Sequence, residues 1–175
     1  MSGFIGEFFG TLVLIVLGTG CGAAINLQKS YAKGASWLYV TIAWGMAVTF
    51  GVYVAASLGS QGHLNPAVTI GFASFGFFPW SEVGPYLLGQ FLGAFVGAAL
   101  VAIQFYPHFK ATKTSEAGNN VGIFATAPAI KNNLFNFLSE TIATFIFVFA
   151  LLNLGDFDKG LKPIAVGLLI MVVGQ

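Results

Sequence analysis

The chain alternates long apolar stretches with short polar breaks. No charged residue falls between Lys33 and Glu82, and none between Glu82 and Lys110. A helix needs about 20 apolar residues to cross about 30 Å of hydrocarbon. Four stretches suffice: Phe4 to Ala24, Trp37 to Leu58, Val83 to Phe105 and Leu134 to Leu154. A fifth apolar run opens at Pro163 and reaches Gln175 after only 13 residues, so the chain is expected to be C-terminally incomplete. The first run has no Lys or Arg before it and carries Glu7 inside it, which fits a retained helix rather than a cleaved leader.

One uncharged stretch, Gly59 to Ile70, is too polar and too Gly-rich to be another span. Asn65 is a favoured N-cap, Pro66 suits the first helical position, and apolar residues follow as far as Phe75. About ten residues at about 1.5 Å rise give roughly 15 Å, half a bilayer. The pattern therefore predicts a half-length helix that enters and returns on one side. Irregular backbone at membrane depth persists only inside protein or beside a water-filled path, so Gly62, His63 and Leu64 are expected to present carbonyls to a pore. A surface loop with an interfacial helix is the competing reading.

The chain also repeats itself. Glu7-Phe8-Phe9-Gly10-Thr11 is echoed by Glu140-Thr141-Ile142-Ala143-Thr144, and Ile42-Ala43-Trp44-Gly45 by Ile164-Ala165-Val166-Gly167, the latter at an offset of 122. Three spans in the first copy invert the second, a construction used by transport proteins. The expectation is one transmembrane channel domain over 1–175, with a first repeat at 1–105 and a second opening at 134–175. The same offset puts a second Asn-Pro cap near position 187. Carboxylates inside membrane helices are costly. Glu7 and Glu140 either couple an ion or accept hydrogen bonds from re-entrant backbone that lipid cannot satisfy; recurrence in both copies favours the second role.

Composition narrows the class. Of the residues, 57% are hydrophobic and 7% charged, with no Arg, against about 25% charged in a soluble domain. A water-soluble globule is excluded; the bilayer is the solvent. A net charge of +1 lacks the basic face that nucleic acid requires. The single cysteine, Cys21, removes disulfide frameworks and thiolate metal sites. No cofactor or metal is expected, and no catalytic constellation argues for an enzyme. Gly6 and Gly10, Gly18 and Gly22, and Gly93 and Gly97 are small-xxx-small pairs suited to close helix crossings.

His63-Leu64-Asn65-Pro66-Ala67-Val68-Thr69, after a second span containing Ala43-Trp44-Gly45 and alongside the repeated Glu, resembles the major intrinsic proteins, the aquaporin and glycerol-facilitator family. The resemblance implies an all-α membrane protein, an aquaporin-like bundle of six tilted transmembrane helices plus two re-entrant half-helices with inverted repeat. About five helices and the first half-helix fall within 1–175. It also implies a homotetramer in the cell membrane, one pore per subunit, with cytoplasmic termini. Charge alone would place the N-terminus outside, because Lys29, Lys33, Lys110, Lys113 and Lys131 lie on one side and only Lys159 and Lys162 on the other. The family's second Asn-Pro-Ala, the Arg after it and the sixth helix are not in the sequence.

With Asn65 capping through its carbonyl oxygen, its amide hydrogens are free to donate to a passing solute. The half-helix dipole adds roughly half a positive charge there, a barrier to cations and protons but not to neutral molecules. Asn65, Pro66 and Ala67 together with Gly62, His63 and Leu64 are the expected pore lining. His63 either gates with pH or fixes the loop through hydrogen bonds. By resemblance, Trp44 occupies the constriction position where glycerol-conducting members are similar and water-specific members usually carry Phe. Gly174 falls where the latter carry His. An interfacial anchor is the other reading of Trp44. The loop from Tyr106 to Asn133, with Lys110, Lys113, Glu116 and Gly118, is expected to cap the outer vestibule. The function that follows is passive diffusion of glycerol and water, with dihydroxyacetone, urea and undissociated lactic acid as related solutes. The rivals are an ion-coupled secondary transporter and a non-conducting scaffold.

Overall fold

The computed structural model describes residues 3–112, 120–155 and 160–174. Within them the chain forms helices α1 (Phe4–Asn26), α2 (Trp37–Ser57), α3 (Pro66–Ser74), α4 (Trp80–Gln104), α5 (Tyr106–Ala111), α6 (Asn133–Asn153) and α7 (Lys162–Val173), with a 3-10 turn at Asn120–Ile123. No strand occurs among the described residues. α1, α2, α4 and α6 run 21 to 25 residues, each long and apolar enough to cross a bilayer. α4 begins at Trp80 rather than Val83. Ser81 and Glu82, which read as loop, form its first turn, where a carboxylate complements the positive end of the helix dipole. α5 and the 3-10 turn occupy what reads as featureless loop, and Lys113, Glu116 and Gly118 lie outside the described residues.

Glycines set the crossings. A Cβ on Gly10 would stand 2.7 Å from the Gly51 carbonyl oxygen, and one on Gly51 would stand 2.8 Å from that of Gly10. Along α4 a stripe of Gly89, Gly93 and Gly97 rides over Phe4, Phe8 and Leu12 of α1; a Cβ at Gly89 would come 2.7 Å from the Phe4 oxygen. With no hydrophobic gain between helices in lipid, this close approach supplies dispersion contact that larger residues would prevent. Gly18 accommodates the Trp44 ring, whereas Gly22 faces Ile123 more loosely, at 3.4 Å from its oxygen.

α7 packs antiparallel on α2. The Trp37 indole donates to the Gly174 carbonyl at 2.8 Å at one end, and the Tyr53 hydroxyl donates to the Gly160 carbonyl at the other. Outward surfaces carry Phe91, Phe95, Ile103 and Phe145. In water such continuous apolar cover would be an aggregation surface; against acyl chains it costs nothing.

Candidate functional site

The site begins where α2 ends. Gly59 and Gly62 adopt φ of 85° and 70°, and Leu64 adopts φ of 50°. Glycine does so freely, but for leucine the left-handed region costs about 1–2 kcal/mol. Two contacts hold Leu64 there. Its N–H donates to Glu7 Oε2 at 2.8 Å, and its buried side chain wedges into the Gly10–Gly51 crossing.

Glu7 is 0% exposed, and its carboxylate collects the donors of the turn. Oε1 accepts the Ser60 hydroxyl and, at 2.9 Å, the His63 N–H. Oε2 accepts the Leu64 N–H and, at 2.7 Å, Gln90 Nε2. Backbone that would otherwise face lipid unpaired is thereby satisfied. The Gln61 N–H is met by the Tyr86 hydroxyl at 3.0 Å.

Asn65 then starts α3. Its Oδ1 accepts the Ala67 N–H at 2.8 Å, an N-cap that leaves both Nδ2 hydrogens to donate. Thr69 closes the first turn: its N–H and its hydroxyl reach the Asn65 carbonyl at 3.0 and 3.1 Å. The His63 ring is enclosed by Phe72, Phe78 and Tyr86, with centroids 4.7 to 5.0 Å away. Its Nδ1 lies 3.2 Å from Thr69 Oγ1.

These residues border a cavity of about 530 Å³. Gln61, Gly62, His63, Leu64 and Asn65 line it together with Val48 and Val52 of α2, Phe147 of α6 and Ile170 of α7. Ala56 and Lys162, near one end of the α2–α7 pair, and Leu14, at the middle of α1, also line it. The lining thus combines the turn at 61–65 with apolar side chains, and Lys162 is the one charged residue in it.

The expected residues are placed unequally. Gly62, His63, Leu64 and Asn65 reach the cavity, while Pro66 and Ala67 stand behind it as the first residues of α3. Trp44 and Gly174 lie along the other half of the α2–α7 pair and do not line the cavity. Trp44 packs on Gly18 and beside the Leu14–Val52 cluster, and Gly174 abuts Thr41, one turn before Trp44. Glu140 is exposed on α6, with no hydrogen-bond partner among the described residues. No group of three or more potential metal ligands occurs among those residues.

Four polar residues around Glu7 carry no role in the sequence reading: Ser60, Thr69, Tyr86 and Gln90. Gln90 had a signal, since it is an uncharged polar residue alone in the apolar centre of a span, where polar side chains seek partners.

The Major intrinsic protein family description matches residues 1–174. Glycerol uptake facilitator protein 2 of Lactiplantibacillus plantarum is 67% identical over 175 residues, which is 100% of this chain and 74% of that protein. The glycerol uptake facilitator protein of Streptococcus pneumoniae R6 is 46% identical over 99% of this chain and 74% of its own length. Among solved structures, the aquaglyceroporin from Plasmodium falciparum superposes with a TM-score of 0.84 at 33% identity, covering 98% of this chain and 70% of that one.

Proposed function

This chain belongs to the major intrinsic protein family, and on that premise we propose that it is a passive membrane channel through which glycerol diffuses. The observation that carries the reading is a cavity lined by the turn at 61–65 together with apolar side chains of α2 and α7. Glycerol has hydroxyls along one edge and a hydrocarbon backbone along the other. Carbonyls of Gly62, His63 and Leu64 accept from its hydroxyls and the Asn65 amide donates to them, while carbon slides over Val48, Val52 and Ile170. Hydrogen bonds to water are exchanged for bonds to the track at small net cost, so no energy source is needed.

Cations are refused by the same geometry. The N-terminus of α3 brings roughly half a positive charge to the Asn65 level, and the polar track offers no carboxylate to offset it. Glu7 does not serve ion coupling in this reading, because both oxygens are already committed to the turn. Pro66 and Ala67 fix the start of α3. Trp44 and Gly174 contribute to the selectivity constriction, the narrowest part of the path, and Glu140 braces a second re-entrant loop as Glu7 braces the first. Water shares the path, and urea, dihydroxyacetone and undissociated lactic acid satisfy its chemistry. The working form is a homotetramer in the cell membrane, with cytoplasmic termini, formed from domain 1–175 with repeats at 1–105 and from 134.

Liposomes carrying the protein, mixed rapidly with a glycerol gradient, test this. Recovery of volume faster than in empty liposomes is expected. A rate equal to that of empty liposomes overturns the proposal.

A further inference from the structure

We propose that Gln90 is a positioning residue for solute passage: by donating to Glu7 and Thr69 together, it sets where Asn65 stands against the path and thereby the glycerol-to-water permeability ratio. The inference rests on the channel reading above. Gln90 is 2% exposed, lies on α4, and its Nε2 reaches Glu7 Oε2 at 2.7 Å and Thr69 Oγ1 at 2.9 Å. An amide nitrogen has two hydrogens, so both are used.

The direction of each bond follows from what the partners can do. Glu7 Oε2 accepts from both the Leu64 N–H and Gln90 Nε2. Thr69 has one hydroxyl hydrogen, which goes to the Asn65 carbonyl at 3.1 Å, so toward Gln90 it accepts as well. The relay runs from Gln90 to Thr69 to Asn65. With that hydrogen committed, His63 must present Nδ1–H to Thr69 Oγ1. Gln90 Oε1, buried and without a partner among the described residues, is turned away from both acceptors, which leaves the carboxamide one orientation. Gly89 beside it brings α4 onto the backbone of α1, close enough for so short a reach. One side chain therefore ties α1, α3 and α4 together.

A shift of α3 does not affect the two solutes equally. Water needs one donor and one acceptor at a time and rotates freely. Glycerol must match several hydroxyls to the track and to the Asn65 amide at once, with its carbon on the apolar wall. A displaced Asn65 therefore slows glycerol more than water.

The test measures both permeabilities on the same proteoliposomes, normalised to protein in the membrane. Gln90→Met keeps length and removes the donors; the glycerol-to-water ratio is expected to fall at least threefold. Thr69→Val breaks the relay one step on and lowers the ratio likewise, while Thr69→Ser, the conservative variant, restores it. Phe95→Ala, on the exposed surface away from the cavity, leaves it unchanged. A merely structural role reduces the amount of protein and both fluxes together; an unchanged ratio in Gln90→Met overturns the inference. Should that variant fail to assemble, equal ratios for Thr69→Val and Thr69→Ser overturn it instead. Wild-type vesicles that pass no glycerol would refute the channel reading, a separate result.

Discussion

Gly45 and Gly167 meet backbone to backbone where α2 crosses α7: a Cβ at Gly45 would stand 2.7 Å from the Gly167 carbonyl oxygen. The two glycines are 122 residues apart, the offset of the sequence echo. The contact is reciprocal. A Cβ at Gly45 would strike Met171, one at Gly167 would strike Thr49, and Thr49 and Met171 are again 122 apart. Equivalent residues that touch each other's counterparts are what a two-fold relation between repeats demands, as at an isologous interface. The end contacts, Trp37 with Gly174 and Tyr53 with Gly160, obey the same relation to within one residue.

Gly45→Ala and Gly167→Ala are therefore expected to destabilise the protein, since a backbone carbonyl as well as a side chain stands in the way of each. Overpacking typically costs about 1–3 kcal/mol. Gly84→Ala, with nothing within 4 Å of its Cβ, is expected to hold or slightly raise stability, as alanine favours helix over glycine by about 1 kcal/mol. Thermal unfolding in detergent checks the contrast; equal Tm shifts at Gly45 and Gly84 would contradict the close crossing.

Glu7→Gln exchanges one acceptor oxygen for a donor group facing donors. At least one of the His63, Leu64, Ser60 and Gln90 hydrogens then lacks a partner, at about 1–3 kcal/mol for each buried group. Thermal stability and glycerol flux are expected to fall together. A variant that folds and assembles as wild type yet passes no glycerol would favour ion coupling over bracing.

The spans and the cap were legible in the sequence because each depends on local features: run length, absence of charge, and Asn-Pro before apolar residues. Glu7 was legible because a membrane carboxylate demands a partner. Its actual partners were not, because Ser60, His63, Leu64 and Gln90 converge from two other segments, and only the Gly89 and Gly10 approaches bring those segments within reach. Gln90 stands out as a lone polar residue in its span, but nothing in its spacing names its partners. Leu64 is likewise an ordinary apolar residue in the sequence, and nothing there marks its positive φ.

Trp44→Ala is expected to change the glycerol-to-water ratio more than Trp80→Ala. The Trp44 ring is half-buried and seats on Gly18 beside the Leu14–Val52 cluster, whereas Trp80 is exposed at the start of α4. Removing Trp44 opens space next to the path and frees Leu14 and Val52, both cavity-lining, to move. Removing Trp80 changes only an exposed surface. Flux measurements on the two variants check this, and equal effects would detach Trp44 from selectivity.

Asn65→Asp separates capping from conduction. Asp caps as well as Asn, its oxygen can still accept the Ala67 N–H, and its charge suits the positive end of α3. The cap is therefore expected to survive, and any loss of stability comes from the charge placed at membrane depth. Transport is not spared. The amide donors are gone, and a carboxylate stands where the half-helix had presented positive charge. Glycerol flux is expected to drop at least tenfold, and the barrier to cations to weaken, read as faster decay of an imposed potassium gradient. Asn65→Ala inverts the pattern of stability, losing about 1 kcal/mol with the cap and the glycerol donor with it, but adding no charge, so cation leak stays low. Full glycerol flux in Asn65→Asp would show that the amide at the head of α3 does not donate to the solute.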